Sequence, residues 1–206
     1  MIKNLPPNTV ERLSNYRRKL LLYNYNEKPF IHSHSLAHLL KINPAHVRRD
    51  LMLIGFAGDV HKGYDIKKLI EEIAKAIQCE RIQKVGFIGI GEVGRAVAEA
   101  FIHENSRLKV AATFRVAEEP KIQFSNVQCF NISKMKSIIK KEGIEIIVLA
   151  LPNGNIKEIT KLVVDSGVRG ILNFTSAHLE VPDSIYVENY DLMSKLEKLS
   201  YFTNSI

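Results

Sequence analysis

Apolar residues recur at helical spacing through the first eighty positions and fall in short, solid runs after them. Leu5-Pro6-Pro7-Asn8-Thr9 is a helix-start signal, and Val10, Leu13, Tyr16, Leu20, Leu21 and Tyr23 follow as the apolar stripe of a first helix. Asn26-Glu27-Lys28-Pro29 ends it. Ser33 is placed to cap a second helix, with Leu36, Ala37, Leu39 and Leu40 as its apolar positions. Lys41-Ile42-Asn43 is short enough for a helix-turn-helix elbow. Asn43-Pro44 then starts a third helix, with Asn as N-cap and Pro at the first helical position. Val47, Leu51 and Ile54 mark its buried face, and His46, Arg48 and Arg49 fall outside that stripe. The glycines from Gly55-Phe56-Ala57-Gly58 to Gly63 bound a hairpin. Ile66, Leu69, Ile70, Ile73 and Ile77 form one more amphipathic helix.

From residue 81 the pattern changes to strand, helix, strand. Strands are predicted over 85–88, 108–114, 127–130, 144–151, 170–173 and 185–187. Helices are predicted over 93–102, 133–142, 155–166 and 191–202, the last with Leu192, Leu196 and Leu199 on one face. Such alternation gives a parallel sheet with helices on both faces, with ligand at the carboxyl ends of the strands. The chain therefore reads as α/β. Residues 1–80 form a helical module with a wing hairpin, and residues 81–206 form a Rossmann-type doubly wound domain ending in a helix over 190–202.

Charge separates the same two parts. The 206 residues carry a formal charge of +7, and residues 1–80 hold 13 Lys/Arg against 8 Asp/Glu. Residues 81–206 hold 16 against 14. The smaller part is the more basic, which points to a polyanion partner there. A basic, outward-facing helix behind a short turn is the recognition-helix arrangement of DNA-binding proteins. Ser33, His46, Arg48 and Arg49 are its candidate contacts, with Lys62 on the wing. A small helical linker or oligomerisation module is the competing reading.

The strongest motif is Gly89-Ile90-Gly91-Glu92-Val93-Gly94, set between a strand and a helix. Gly89 permits the tight turn, Gly91 lets backbone approach a pyrophosphate, and Gly94 lets the helix pack close. The second strand normally ends in a ribose-binding carboxylate, but here it ends Thr113-Phe114-Arg115. An Arg at that position accepts a 2′-phosphate and favours NADP-type ligands. Pro152 and Asn173, at two later strand ends, are further candidate ligand contacts. No acid–base constellation follows the strands, which ranks an NAD(P)-dependent oxidoreductase below a ligand-responsive regulator. A regulator that senses NADP(H) or a CoA-type nucleotide remains open, because the glycine turn recognises pyrophosphate.

His34 and His38 share a helix face at four-residue spacing, but no third ligand accompanies them, so no metal is expected. Cys79 and Cys129 form no C-x-x-C pattern. With no signal-peptide pattern and no run of about 20 apolar residues, a reduced, cytoplasmic setting away from membranes is expected.

Over nearly its whole length the sequence resembles the Rex family of bacterial redox-sensing repressors. The shared blocks are Arg12-Leu13-x-x-Tyr16, residues 33–40, Val47-Arg48-Arg49-Asp50-Leu51, and Gly55, Gly58 and Gly63-Tyr64. They continue with the glycine motif and Arg95-Ala96, Gly170-Ile171-Leu172-Asn173-Phe174-Thr175, Val181-Pro182 and Asp191-Leu192. The resemblance implies a winged-helix domain that binds a double-stranded operator and a Rossmann domain that binds NAD(H). It also implies a homodimer that exchanges its C-terminal helix, with NADH favouring release from DNA. Arg18, Asp191 and Leu192 are the residues it implicates between domains and protomers. Departures from the family are also visible. Arg115 stands for the ribose Asp and Ala100 for a Tyr near the nicotinamide. Asp59-Val60-His61 stands for a Lys-Arg-Gly wing, and Thr175-Ser176 follows Asn173-Phe174.

Overall fold

The computed structural model describes residues 5–23, 27–77, 81–103, 107–116, 126–151 and 155–204. The chain divides into two compact units, Met1–Glu80 and Arg81–Ile206.

In the first unit α1 (Pro7–Leu21) begins at proline, whose fixed φ suits a first turn. β1 (Phe30–Ile31), α2 (Ser33–Leu40), α3 (Pro44–Leu53), β2 (Tyr64–Asp65) and α4 (Ile66–Ile77) follow. β1 and β2 pair antiparallel, Phe30 opposite Asp65 and Ile31 opposite Tyr64. Lys41 takes the left-handed conformation, and the Ile42 amide reaches back to the Ala37 carbonyl, which stops α2 sharply. Asn43 accepts a bond from the Ala45 amide at 2.8 Å and starts α3. Leu13, Tyr16, Leu20, Leu36, Val47, Leu51, Ile66, Leu69 and Ile73 build the core. Each contributes about 1.5–3 kcal/mol relative to exposure.

Four expectations need correction here. Leu21, expected on the stripe of the first helix, is half exposed. Val10 lies toward solvent and Thr9 is buried in its place, because the Thr9 hydroxyl bonds to a buried carboxylate. Ser33 opens α2 but does not cap it; its hydroxyl instead accepts from Arg48. Leu39 is exposed, because the stripe of so short a helix narrows to Leu36 and Ala37.

The second unit is a six-stranded sheet in the order β5-β4-β3-β6-β7-β8, with every neighbouring pair parallel. Its strands are β3 (Gln83–Ile88), β4 (Leu108–Arg115), β5 (Cys129–Asn131), β6 (Ile144–Leu149), β7 (Gly170–Asn173) and β8 (Tyr186–Asn189). Its helices are α5 (Glu92–His103), α6 (Met135–Glu142), α7 (Ile156–Asp165) and α8 (Leu192–Thr203). The strand order reverses between β3 and β6, so their carboxyl ends form the crevice where such sheets take ligand. One face of the sheet is covered by a core around Ile88, Phe114, Ile147 and Ile171, and the other by a core around Val85, Phe87, Ala98 and Val148. The helix expected from residue 133 begins instead with a short 3-10 turn at Ile132–Lys134, because the Asn131 side chain already caps the Ser133 amide.

Candidate functional site

Between α1 and α3 the first unit buries a charge. Asp50 is fully buried on the inner face of α3. Arg12 donates from Nε to Asp50 Oδ2 and from Nη2 to Oδ1, both at 2.7 Å. Tyr16 donates its hydroxyl to Oδ2 at 2.7 Å, and Thr9 donates to Oδ1 at 3.1 Å. Four donors thus fill the carboxylate. Burial alone would push the Asp50 carboxyl up, but the bonds from Arg12, Tyr16 and Thr9 outweigh it and hold it below the usual range. Burial, then the bond to Asp50, pushes the Tyr16 phenol up. Pattern reading missed this cluster as a device. Its signals were an Asp between two apolar positions of an amphipathic helix and the shared blocks that hold Arg12, Tyr16 and Asp50.

The opposite side of α3 presents His46, Arg48 and Arg49, all exposed. Arg48 Nη1 donates to Ser33 Oγ at 3.3 Å, so the α2 start and α3 share one polar surface. The hairpin after α3 is closed by Asp59 and Gly63. Gly63 has φ +87°, and a Cβ there would meet the Ile31 carbonyl oxygen at 2.6 Å, so only glycine fits against β1. Asp59 Oδ1 accepts from the amides of His61 and Lys62, both at 2.8 Å. Those two bonds hold its carboxyl below the usual range. In the sequence Asp59 is a departure from the family's Lys-Arg-Gly wing, and in the structure it builds the turn. Lys62 Nζ stands 5.9 Å from the centroid of the Phe30 ring. His34 and His38 line an open groove with Tyr23, Ile31, Ser35 and Leu39. Among the described residues no group of three potential metal ligands is present.

The glycine turn of the second unit is shaped by contact. Gly89 has φ +83°, and a Cβ there would meet the Ala150 carbonyl oxygen at 2.7 Å. A Cβ on Gly94 would strike the Gly89 carbonyl oxygen, which is why α5 packs so close to the turn. A Cβ on Gly91 would meet nothing within 4 Å. The loop is therefore open on the side where α5 presents its first-turn amides, the geometry that a pyrophosphate needs. Glu92 and Val93 are exposed at that helix start, whereas the Ile90 side chain is buried in the core with Val85 and Ala98. Ile90 accordingly offers only backbone to a ligand. Arg115 ends β4 beside Asn131 of β5. Pro152 lies outside the described residues.

Asn173 sits at the carboxyl end of β7, with its side chain buried and fully engaged. Nδ2 donates to the Ala177 carbonyl at 3.0 Å and to Asn189 Oδ1 at 2.9 Å. Oδ1 accepts from the Thr175 amide at 3.0 Å and its hydroxyl at 2.7 Å. Its amide shapes the loop at the strand end and has no bond left for a ligand. Asp191 caps α8 by accepting from the Met193 amide at 2.9 Å, and Arg18 lies exposed on α1. No residue of α8 is buried, and Leu192, Leu196, Leu199 and Phe202 are each at least half exposed.

Residues 4–51 match the family described as "Putative DNA-binding protein N-terminus", and residues 80–177 match the family described as "CoA binding domain". The redox-sensing transcriptional repressor Rex of Ligilactobacillus salivarius is 34% identical over 202 residues, covering 97% of this chain and 94% of the relative. The repressor of the same name from Streptococcus pneumoniae is 32% identical over 201 residues, covering 96% and 94%. Among solved structures, RSP in complex with β-NAD⁺ and operator DNA matches with a TM-score of 0.86 and 25% identity. That match covers 98% of this chain and 93% of the other. The structure of RSP described as a Rex-family repressor matches with a TM-score of 0.84 at 24% identity, covering 98% and 94%.

Proposed function

The chain belongs to the Rex family of redox-sensing transcriptional repressors, and we propose that it represses transcription by holding operator DNA in its N-terminal unit while its Rossmann unit reads NADH against NAD⁺. The carrying observation is that the relationship spans both units in one chain, 34% identical over 97% of its length. The geometry gives each unit its part. His46, Arg48 and Arg49 project from a helix whose other face is locked by Asp50, Ser33 is bonded to Arg48 on it, and Lys62 stands on the hairpin beside Phe30. Arginines so placed contact phosphate or pair with guanine in the major groove.

In the Rossmann unit the backbone from Gly89 to Gly94 would hold the pyrophosphate at the start of α5. Bound there, the dinucleotide supplies the redox difference that the protein reads. Repression can respond only if NADH and NAD⁺ prefer different arrangements of the protein; equal affinity for both would shift nothing. Arg115 removes a carboxylate that would repel a 2′-phosphate, so NADP(H) is admitted more readily than a carboxylate would allow. A regulator is favoured over a catalyst by the end of β7, where Asn173 and Thr175, an amide and a hydroxyl, are bonded to each other and neither is suited to shuttle protons. α8, with Leu192, Leu196 and Leu199 uncovered, is completed by a second copy, which makes the protein a homodimer. Among the described residues no helix is long and apolar enough to cross a membrane.

The test is titration of NADH, NAD⁺, NADPH, NADP⁺ and CoA into the full chain, alone and bound to duplex DNA. NADH is expected to bind and to release DNA while NAD⁺ leaves it bound. Binding of CoA alone would reassign the ligand. Truncation after Asn189 is expected to yield monomer or aggregate by light scattering, and a stable dimer would reject the role given to α8.

A further inference from the structure

The chain enters the sheet unit at Arg81, the first residue of that unit, after α4 has ended at Ile77. The connection is four residue steps, at most about 14 Å of chain. Arg81 is gripped where it arrives. Its Nη1 and Nη2 donate to Glu145 Oε1 and Oε2, the second bond at 2.8 Å, a paired geometry that fixes direction as well as distance. Glu145 is the second residue of β6, and its side chain is 16% exposed, so solvent screens the pair poorly. Lys84 of β3 reaches Glu142, the last residue of α6, at 3.4 Å. The corner between α6 and β6 therefore holds two cations from the start of β3. On the other side, the Gln83 amide ties the strand to the Arg107 carbonyl, just ahead of β4, at 2.8 Å.

The same two strands bound the ligand crevice at their other ends. β3 and β6 pair in parallel from Lys84 opposite Ile144 to Ile88 opposite Leu149. Beyond that pairing the Ala150 amide donates to the Ile88 carbonyl at 2.9 Å, and the Gly89 turn lies against Ala150. β3 thus carries the glycine turn at its carboxyl end and the Arg81 clamp at its amino end, about 20 Å away. We infer that Arg81 and Glu145 are positioning residues for the response to ligand: their clamp fixes the root of the connection between the units to the two strands that form the crevice. The inference rests on the repressor reading above and adds the residues that pass its signal on. A strand pair bonded along its length moves as one body, and coupling between distant sites is carried by such rigid elements and by bonded networks. Motion of that body is lost wherever the chain leaves it through a slack joint. The clamp removes the slack at the joint that leads to α4.

The test measures the DNA affinity of the full chain with and without saturating NADH, on a duplex that the wild-type protein selects from a random pool. The ratio of the two affinities is the response. Arg81→Gln and Glu145→Gln are each expected to reduce that ratio roughly three- to fivefold, the scale of one ion pair near a surface. NADH affinity and the melting of the sheet unit are expected to stay at their wild-type values, which separates signalling from a merely structural role. The double variant is expected to lose no more than either single one, because both remove the same interaction. Arg169 Nη1 stands 3.9 Å from Glu145 Oε2, beyond hydrogen-bond distance, so Arg169→Gln is expected to keep the response. The inference is overturned if either clamp variant keeps the full ratio, if the ratio falls only in step with NADH affinity or melting, if the double variant loses the sum of the single losses, or if Arg169→Gln loses as much. A wild-type protein that binds no duplex at low ionic strength, or whose DNA affinity ignores NADH, would reject the repressor reading itself, and this inference with it.

Discussion

The two units solve the problem of a core in opposite ways. The sheet unit buries an almost wholly apolar interior, and its buried polar residues among those described are Thr113, Thr160 and Asn173, none of them ionisable. The helical unit buries the carboxylate of Asp50 and surrounds it with Thr9, Arg12 and Tyr16. Apolar packing tolerates small slides of one element against another, because dispersion is nondirectional. A four-bonded carboxylate does not, because every bond fixes an angle as well as a distance. The difference suits the two tasks. A sheet edge that cradles a phosphate needs a correct backbone turn, whereas a reading helix needs one orientation relative to its support.

The comparison breaks most forcibly at Asp50. Asp50→Ala leaves a guanidinium, a phenol and a hydroxyl without their acceptor, and about 3–5 kcal/mol of stability should be lost. In two-probe denaturation the N-terminal unit should melt early while the sheet unit keeps its transition. Equal destabilisation of both units would mean that they fold as one.

Gly91→Val attacks the other unit where structure and ligand separate. A Cβ at this position meets nothing within 4 Å, so the melting of the sheet unit should hold. It would occupy the approach of the pyrophosphate, and NADH affinity should fall at least a hundredfold, about 3 kcal/mol. Calorimetric titration against an unchanged melting curve is the check, and undiminished affinity would move the ligand off the glycine turn.

Arg49→Ala sharpens the contrast from the DNA side. The side chain faces solvent while its neighbour Asp50 is buried, so folding should be unaffected. DNA binding should weaken by about 1–3 kcal/mol at one base pair if Arg49 reads a base, or uniformly over sequences if it holds phosphate.

The smallest effect is in pH. The Asp50 carboxyl is held below its ordinary value of 3.8, so the stability that it contributes is complete above that value. This stability is lost as pH falls through the lower folded value. Tyr16 is pushed above its ordinary value of 10, so its contribution is complete below pH 10 and is lost as pH rises through the raised value. Thermal scans should therefore show the helical unit weakening at both extremes from these two groups. The buried polar residues of the sheet unit add no counterpart.

The same contrast governs what the sequence reveals. Parallel strands buried on both faces write themselves as apolar runs, and the strand over 170–173 has the observed bounds. The glycine turn is legible because each glycine answers a steric demand at fixed spacing. Polar cores leave no periodic trace. Asp50 is no part of the apolar stripe of Val47, Leu51 and Ile54, and Thr9 yields its buried place to Val10 in any apolar count. β1 is two residues long and shows no alternation to detect. Asp59 looks repulsive because a side chain that caps its own turn is recognisable only once the backbone closes. Asn173 is visible as a residue at a strand end, but its complete set of internal bonds depends on Asn189, sixteen positions away.

That clasp also sets a length. Asn173 ties the ends of β7 and β8 together, and the Tyr190 amide adds a bond to the Asn173 carbonyl at 2.8 Å. Only Tyr190 and Asp191 separate β8 from α8. A strand residue spans at most about 3.6 Å, so the first residue of α8 stays within roughly 11 Å of the end of β8. The helix is thus on a short leash pinned at its root, and any surface that covers Leu192, Leu196 and Leu199 must come to this corner of the sheet.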